Sequence, residues 1–383
     1  TIYVEEGLYS PLNNGEIFPI VLPDNVHLIG SDRETTILDA QANQLKESAV
    51  MIIPECENVK VANFTLTGGY SEGHGCSGGG GLLVTANDMD NEDNNDIREN
   101  QAIIENLIVE DNHSHNGGGI SFWRINGATM NNVISRNNIA TFNGGGIFVY
   151  CSMMDMENIE SSNNVLLGYN FGFGNMAYGG GVMLAGLING TIENAVISNN
   201  TALIGGGIFT TGSLNTWTRS NSLISGNTAS YQGGGIEFVD NASPTLINVT
   251  FDDNVANDKG GGALSIGTTT PVFENCTITN NSASNGDGGG AFIFNEWNWL
   301  TNQNLVGSYP IFNNCFFEGN TSIDGAAVGY GKPGLWGPPD GATFYRNTIV
   351  NNQSSNYCGG ININGGSSEI INCTIIDNPN GNT

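Results

Sequence analysis

Short apolar stretches with a period of two run along this chain, and two repeated polar patterns separate them. The first pattern is a glycine triplet followed by an apolar residue, which starts at Gly117, Gly144, Gly179, Gly205, Gly233, Gly260 and Gly288, with weaker copies at Gly79, Gly325 and Gly359. The second pattern, called here the signature, is an asparagine, five residues with apolar or β-branched centres and a second asparagine. It starts at Asn106, Asn132, Asn158, Asn194, Asn221, Asn248, Asn275, Asn314 and Asn372, with variants at Asn63 and Arg346. Period two with glycine-rich breaks predicts strands and turns, and excludes helical repeats.

The spacing of the signature gives the repeat length. Consecutive copies are 26 or 27 residues apart over most of the chain. A unit that short cannot bury an apolar face alone, so it must stack on its neighbours as a solenoid. We therefore predict an all-β parallel β-helix of roughly 11–12 turns, each of about 27 residues. It forms a single domain over residues 1–383, with less regular turns in 1–62 and regular repeats in 63–383.

The two patterns suit the corners of such a turn. Glycine allows a positive φ or a close backbone approach. Asparagine tolerates the left-handed region, and its side-chain amide can bond to the same amide one turn above. Apolar residues such as Ile247, Val249 and Phe251 are expected to point inward and form aligned columns.

The alternation of Gly-Gly-Gly-apolar with Asn-x-Thr-apolar-x-x-Asn resembles the right-handed parallel β-helix repeat proteins of bacterial surfaces. These include the polymorphic outer-membrane protein repeats and the choice-of-anchor Q proteins. Residues 2–9, 26–30 and 35–40 are similar to the first turns of such proteins. The resemblance implies a secreted or cell-surface location in a bacterium. It says little about activity, because the motif residues are structural and lyases, hydrolases and adhesins share the fold.

The net charge of the chain disfavours some classes of binding partner. The chain has 10 Lys plus Arg against 37 Asp plus Glu, a net charge of -27, which disfavours nucleic acid and anionic lipid surfaces. No apolar run is long enough to span a membrane, so we expect no direct membrane insertion.

The seven cysteines lack zinc-site spacing. Cys276, Cys315 and Cys373 share one repeat position, which favours small buried residues stacked in a core. A Cys56–Cys76 disulfide stays open as an alternative for an oxidising compartment.

Departures from the repeat length mark the segments where function is expected, since solenoids carry function in their insertions. These segments are 82–105, 165–178, 291–313 and 328–345. For the aromatic segment 165–178, a loop folded onto the solenoid and an adaptable binding patch both remain open.

Two insertions of consecutive turns, 291–313 and 328–345, should lie side by side and carry three of the five Trp. Exposed aromatic faces beside polar groups suit stacking on sugar rings. The candidate glycan-binding residues are Glu296, Trp297, Trp299, Tyr309, Trp336 and Asp340. The alternative is that these aromatics pack the two loops against the solenoid.

The insertion 82–105 contains a run of closely spaced carboxylates that suits calcium. The candidate ligands are Asp88, Asp90, Glu92, Asp93 and Asp96. The run lacks the glycine and the final glutamate of an EF-hand loop, and a solvated acidic loop is the alternative. No other cofactor is expected.

Evidence for catalysis in the sequence is sparse. The fragment Glu72-Gly73-His74-Gly75 resembles the Gly-His-Gly piece of polygalacturonases, but their other motifs are missing in the required order. Asp252 and Asp253, with Lys259 nearby, are a second acidic candidate.

We therefore interpret the sequence as a non-enzymatic extracellular stalk or adhesin-like module that binds glycans or another surface protein through its Trp-bearing loops. One alternative is a polysaccharide lyase or glycoside hydrolase with an unrecognised site. Another is a structural rod that associates end to end, because no polar cap follows Ile375 and Ile376.

Overall fold

The computed structural model describes residues 1–72, 78–86, 97–170, 175–186, 189–212, 217–257, 260–267, 269–294, 297–298, 303–304, 307–331, 341–363 and 367–380. The chain divides into two compact units, unit 1 at Thr1–Val196 and unit 2 at Ile197–Thr383. Every regular element in these ranges is a β-strand. None of the described residues forms a helix long and apolar enough to cross a membrane.

Unit 1 has three faces, each a stack of parallel strands, which we name the signature sheet, the third sheet and the glycine-face sheet. The signature sheet holds Ile2–Val4, Gly7–Tyr9, His27–Gly30, Thr36–Asp39, Lys60–Thr67, Arg98–Glu99, Ile103–Glu110, Ile125–Arg136, Met153–Glu157, Glu160–Ser162 and Thr191–Glu193. The third sheet holds Tyr70–Ser71, His113–Asn116, Ile139–Asn143 and Val165–Leu166. The glycine-face sheet holds Ile20–Val21, Met51–Ile53, Leu82–Thr85, Ile120–Trp123, Ile147–Tyr150 and Val182–Ala185. A short antiparallel pair joins Tyr169–Asn170 to Asn175–Met176.

Unit 2 repeats the three faces, after a strand at the unit boundary, Val196–Ser198. Its signature sheet holds Thr218–Ser220, Leu223–Ser225, Thr245–Ile247, Thr250–Asp252, Val272–Glu274, Thr277–Thr279, Ile311–Asn313, Phe316–Glu318, Thr343–Tyr345, Thr348–Val350, Glu369–Ile371 and Thr374–Ile376. Its third sheet holds Thr201–Ile204, Thr228–Gln232, Val255–Ala256, Ser282–Asp287, Thr321–Asp324 and Gln353–Ser354. Its glycine-face sheet holds Ile208–Thr211, Ile236–Val239, Leu264–Gly267, Ala291–Phe294, Val328–Tyr330 and Ile361–Asn362. An antiparallel pair joins Trp297–Asn298 to Gln303–Asn304.

The strand registers confirm the predicted fold, a right-handed parallel β-helix. Each strand lies beside the same position of the next repeat; for example, Ile236 is opposite Leu264 and Leu264 is opposite Ala291. One repeat of sequence therefore makes one turn, and the backbone groups of each turn bond to the next.

The glycine triplets form the corner between the third sheet and the glycine-face sheet. The first glycine has positive φ, as at Gly205 (64°) and Gly233 (67°), a region open to glycine without a steric penalty. The second glycine is required for a different reason. A Cβ at Gly206 would lie 2.6 Å from the carbonyl oxygen of Gly234, so the backbones of successive turns approach too closely for any side chain.

The two asparagines of the signature form two ladders, one at the predicted outer corner and a second, buried one that the sequence analysis did not separate from it. The first asparagine takes positive φ at every regular copy, for example 53° at Asn248, and its amide bonds along the stack, as from Asn132 to Asn106 at 2.9 Å. The second asparagine is buried. In unit 2 the Nδ2 atom of Asn254 donates to Oδ1 of Asn281 at 2.9 Å, and Asn281 repeats this bond to Asn320 at 3.0 Å. The inner ladder thus satisfies amides that would be costly to bury alone, whereas the outer ladder lies at an exposed corner.

The interior holds the predicted apolar columns, with one correction. Val249 and Phe251 are fully buried, but Ile247 is partly exposed and Leu246 points inward instead. The cause is Asn248, whose left-handed conformation interrupts the alternation of side chains between the two strands that it joins. Stacked rings show one such column directly, because the ring centroids of Phe273 and Phe312 lie 4.8 Å apart and the angle between the ring planes is 9°.

The cysteines of the shared repeat position lie at another place in the turn, directly after the signature asparagine. Cys276 and Cys315 are 1% and 2% exposed, which confirms the interpretation as small core residues, whereas Cys373 is partly exposed. Cys56 is a buried free thiol, and burial together with the negative charge of Asp24 raises its pKa to about 11. Cys76 lies outside the described residues.

Candidate functional site

A hydrogen-bonded group of acidic, imidazole and hydroxyl side chains lies on the outer surface of the third sheet in unit 1. Three adjacent turns contribute to it, because His113 is opposite Tyr70 on one side and Ile139 on the other. Alternation along the strands sends Ser71, Ser114 and Ala140 into the buried interior. The intervening residues therefore point outward. We call the outward group Glu72, His113, His115 and Thr141 the imidazole network.

Hydrogen bonds join the four side chains. Glu72 Oε1 lies 2.6 Å from Nε2 of His113, and Glu72 Oε2 accepts a bond from the Thr141 hydroxyl at 3.1 Å. The same hydroxyl lies 3.0 Å from Nδ1 of His115. Glu72 is thus held by two different turns. Its side chain is 25% exposed and that of His113 is 24% exposed, so the network is ordered but reachable from solvent.

Aromatic rings flank both imidazoles. Tyr70 stacks on His113 with ring centroids 4.6 Å apart, and Phe142 stacks on His115 at 5.3 Å. Burial raises the pKa of the Tyr70 hydroxyl, and the negative charges of Glu72 and Glu47 raise it further. Tyr70 therefore stays a neutral hydrogen-bond donor at neutral pH.

This composition defines what the network can do. It presents a carboxylate, two imidazoles, two hydroxyls and ring surfaces, which together can hydrogen-bond polyhydroxylated molecules and contact their apolar faces. A carboxylate bonded to an imidazole can also move a proton to or from a bound molecule.

A second aromatic group lies where two glycine-face strands of unit 1 end. Trp123 and Tyr150 stack with centroids 4.3 Å apart, and the guanidinium carbon of Arg124 lies 5.8 Å from the centroid of the Trp123 ring. The two rings cover each other's faces.

The predicted glycan-binding residues lie mostly beyond the described side chains. Tyr309 is described and 40% exposed, and the backbone of Trp297 forms part of the short antiparallel pair. The remaining candidates, Glu296, Trp299, Trp336 and Asp340, lie outside the described residues, as do the calcium candidates Asp88, Asp90, Glu92, Asp93 and Asp96. Both sites stay predictions.

The acidic pair of the sequence has a structural role. Asp252 accepts hydrogen bonds from the Thr279 hydroxyl at 2.8 Å and from the Asn280 amide at 2.9 Å, both on the next turn. Asp253 occupies a corner with a φ of 55°. Lys259 and His74 lie outside the described residues.

The sequence pointed to one member of the imidazole network and missed the others. Glu72 belongs to the fragment that resembles the Gly-His-Gly piece of polygalacturonases. Neither repeated pattern includes His113, His115 or Thr141. The available signal was His-Ser-His-Asn before a glycine triplet, because the place of His113 is taken by a small or β-branched residue in other repeats, such as Ile139, Thr228 and Val255.

Four isoleucines near residue 376 are exposed in unit 2. Ile375 and Ile376 are 41% and 53% exposed, with Ile370 and Ile371 beside them at 44% and 40%. End-to-end association through this apolar patch stays a prediction.

Comparisons with known proteins agree with the fold. A family model for a right-handed beta helix region matches residues 158–310. Two solved structures are similar in outline, both mannuronan C-5 epimerase A-modules of Azotobacter vinelandii. The AlgE6 module is 14% identical with a TM-score of 0.44, covering 98% of this chain and 90% of its own. The AlgE4 module is 11% identical with a TM-score of 0.46, covering 99% and 89%. No curated protein matches the sequence. The parallel registers and the family match together identify the fold as a right-handed parallel β-helix.

Proposed function

We propose that this chain is an extracellular glycan-binding module, of the stalk or adhesin type found on bacterial surfaces. The observation that carries the proposal is the imidazole network with its flanking rings. Glu72 and Thr141 supply hydroxyl-binding oxygens, and Tyr70 supplies a neutral donor beside an aromatic face. Polar groups of this kind, fixed on a rigid sheet and next to rings, are typical of carbohydrate sites.

The charge of the chain favours neutral glycans. At -27 the surface repels polyanions at a distance, and some of the few cationic side chains of unit 1 are paired with carboxylates. Arg136, for example, lies 2.7 Å from Glu110. A neutral polysaccharide meets no such repulsion and needs only the hydrogen bonds and ring contacts that the network offers.

The first test is a glycan array followed by titration with His115→Ala and Glu72→Gln. We expect each change to weaken binding at least about tenfold, because each removes a hydrogen bond in a partly dehydrated network. His27→Ala is the matched control, since His27 is a partly exposed histidine whose bond is to Asn58. Full binding by both network variants would contradict the proposal, and loss only in Trp297→Ala and Trp299→Ala would move the site to the Trp-bearing segment.

A second candidate function is glycoside hydrolysis or uronate elimination, which the 2.6 Å contact between Glu72 and His113 favours. Such a pair could relay a proton to or from a sugar oxygen or ring carbon. The same panel of neutral and anionic glycans distinguishes this function from binding alone. New reducing ends or new C=C absorbance in the wild type, absent in Glu72→Gln, would establish it.

We also propose that the acidic run in 82–105 binds calcium. Removing calcium with a chelator should then lower the melting temperature, and calorimetry should show heat on calcium addition that Asp88→Asn and Asp90→Asn abolish. Glu369→Gln is a suitable control, because Glu369 is an exposed acid in a strand of unit 2. Identical melting curves with calcium and with chelator would leave the run as a solvated acidic loop.

A further inference from the structure

Unit 2 buries one arginine in its apolar interior. Arg219 is the middle residue of the strand Thr218–Ser220 and is 0% exposed. In the next turns its position in the column is taken by Leu246 and then by Phe273. An arginine therefore occupies a place that this column otherwise gives to apolar side chains.

The guanidinium of Arg219 is not satisfied by the protein. Within the described part of the chain, its atoms Nε, Nη1 and Nη2 are all buried and have no hydrogen-bond partner. Burial lowers the pKa of this guanidinium to about 9, so the group still carries its charge at neutral pH. An isolated buried cation is strongly unfavourable, and a compensating group is needed.

Two further buried side chains with polar atoms belong to the same turn as Arg219. Trp217, two residues earlier, is 1% exposed, and its indole N–H donates to the Thr210 hydroxyl at 3.3 Å. Thr210 is itself 0% exposed and stands opposite Phe238 of the next turn. The interior of this one turn therefore places a hydroxyl, an indole and a guanidinium where the following turn is apolar.

None of the carboxylates in the described ranges is hydrogen-bonded to the Arg219 guanidinium. Glu237 is also fully buried, but it alternates with the inward residues Ile236 and Phe238, and it accepts a bond from Gln232 at 2.7 Å. The acidic residues of the surface lie in water, where their field is screened. The missing partner must bring negative charge, and it must be small enough for a closely packed interior.

We propose that the interior of unit 2 binds a small monovalent inorganic anion, such as chloride or bromide, at the Arg219 guanidinium. The anion accepts the N–H bonds that the protein leaves open and neutralises the charge. It is a built-in structural ligand, independent of any glycan site, and it stabilises the folded state because the unfolded chain has no such site.

The proposal is tested by melting the wild type and Arg219→Met in sodium bromide and in sodium gluconate at equal ionic strength. We expect the wild-type melting temperature to rise saturably with bromide by several degrees, and the variant to show no such rise. In gluconate, Arg219→Met should melt above the wild type, because it removes an uncompensated charge. Equal bromide responses in the two proteins would overturn the proposal.

Diffraction from wild-type crystals grown in bromide gives a test that needs no variant. The expected result is an anomalous peak within hydrogen-bond distance of the Arg219 guanidinium. A clear map with water or no density at that position would overturn the proposal. Thr210→Val keeps the guanidinium and should retain the bromide response, so its loss would place the anion at the hydroxyl instead.

Discussion

Gly234→Ala should lower the free energy of unfolding by about 3 kcal/mol, the upper part of the range for forced overpacking. A Cβ at this position would lie 2.4 Å from the carbonyl oxygen of Gly262 and 2.5 Å from the carbonyl carbon and oxygen of Val255. All three atoms are backbone, so no side-chain rotation relieves the contact. The adjacent turns must separate, which weakens hydrogen bonds such as that from Gly234 N to Gly261 O at 3.0 Å. Chemical denaturation followed by circular dichroism measures the loss.

Gly360→Ala is the matched control for this prediction. Gly360 belongs to the last glycine corner, yet the nearest atom to an added Cβ is Cγ2 of Ile375 at 3.5 Å, an ordinary contact. Its φ is not in the positive range, so alanine suits the backbone. We expect a change between zero and a gain of about 1 kcal/mol, from the reduced entropy of the unfolded chain. Equal losses in the two variants would contradict the steric explanation.

Asn254→Leu should destabilise the protein by about 4 kcal/mol, because several buried groups lose their partners at once. Asn254 is 0% exposed. Its Nδ2 donates to Ile224 O and to Asn281 Oδ1, both at 2.9 Å, and its Oδ1 accepts from the backbone N of Asn227 at 3.1 Å. Leucine fills a similar volume but leaves a carbonyl and an N–H unsatisfied. Urea unfolding at constant m-value gives the difference.

Asn248→Gly tests the other ladder and serves as the comparison. Asn248 lies at the outer corner, donates to Asn221 Oδ1 at 3.2 Å and has a φ of 53°. Glycine keeps that conformation without strain, and the lost bond lies where water can replace it. A loss within about 1 kcal/mol is expected. A loss as large as that of Asn254→Leu would show that the outer ladder is equally important.

Much of the fold could be predicted from spacing alone. Glycine triplets and asparagine pairs recur at the length of one turn, and the first residue of each pattern has a local reason, since it takes a positive φ. The position of Leu246 could not be predicted by simple alternation, since the left-handed Asn248 changes the phase between two strands. For the same reason, simple alternation does not predict that Arg219 is buried. Arg219 lies two residues before Asn221, just as Leu246 lies two residues before Asn248.

The candidate site could not be predicted from the spacing of the repeats. Glu72 and His113 are 41 residues apart in sequence, and Glu72 and Thr141 are 69 apart, so no local pattern links them. Only the stacking of three turns brings their side chains onto one surface. The Trp-bearing and acidic segments, by contrast, were found from sequence because an insertion is visible as a change in repeat length.

The sequence by itself determined the class of fold, the length of a turn, the corner residues and the segments that leave the repeat, because these depend on local backbone preferences and on counting. The tertiary structure decided which side chains meet across turns and which polar groups are buried. Those outcomes depend on the register between strands distant in sequence, and the register placed Glu72 beside His113 and Arg219 inside the apolar column.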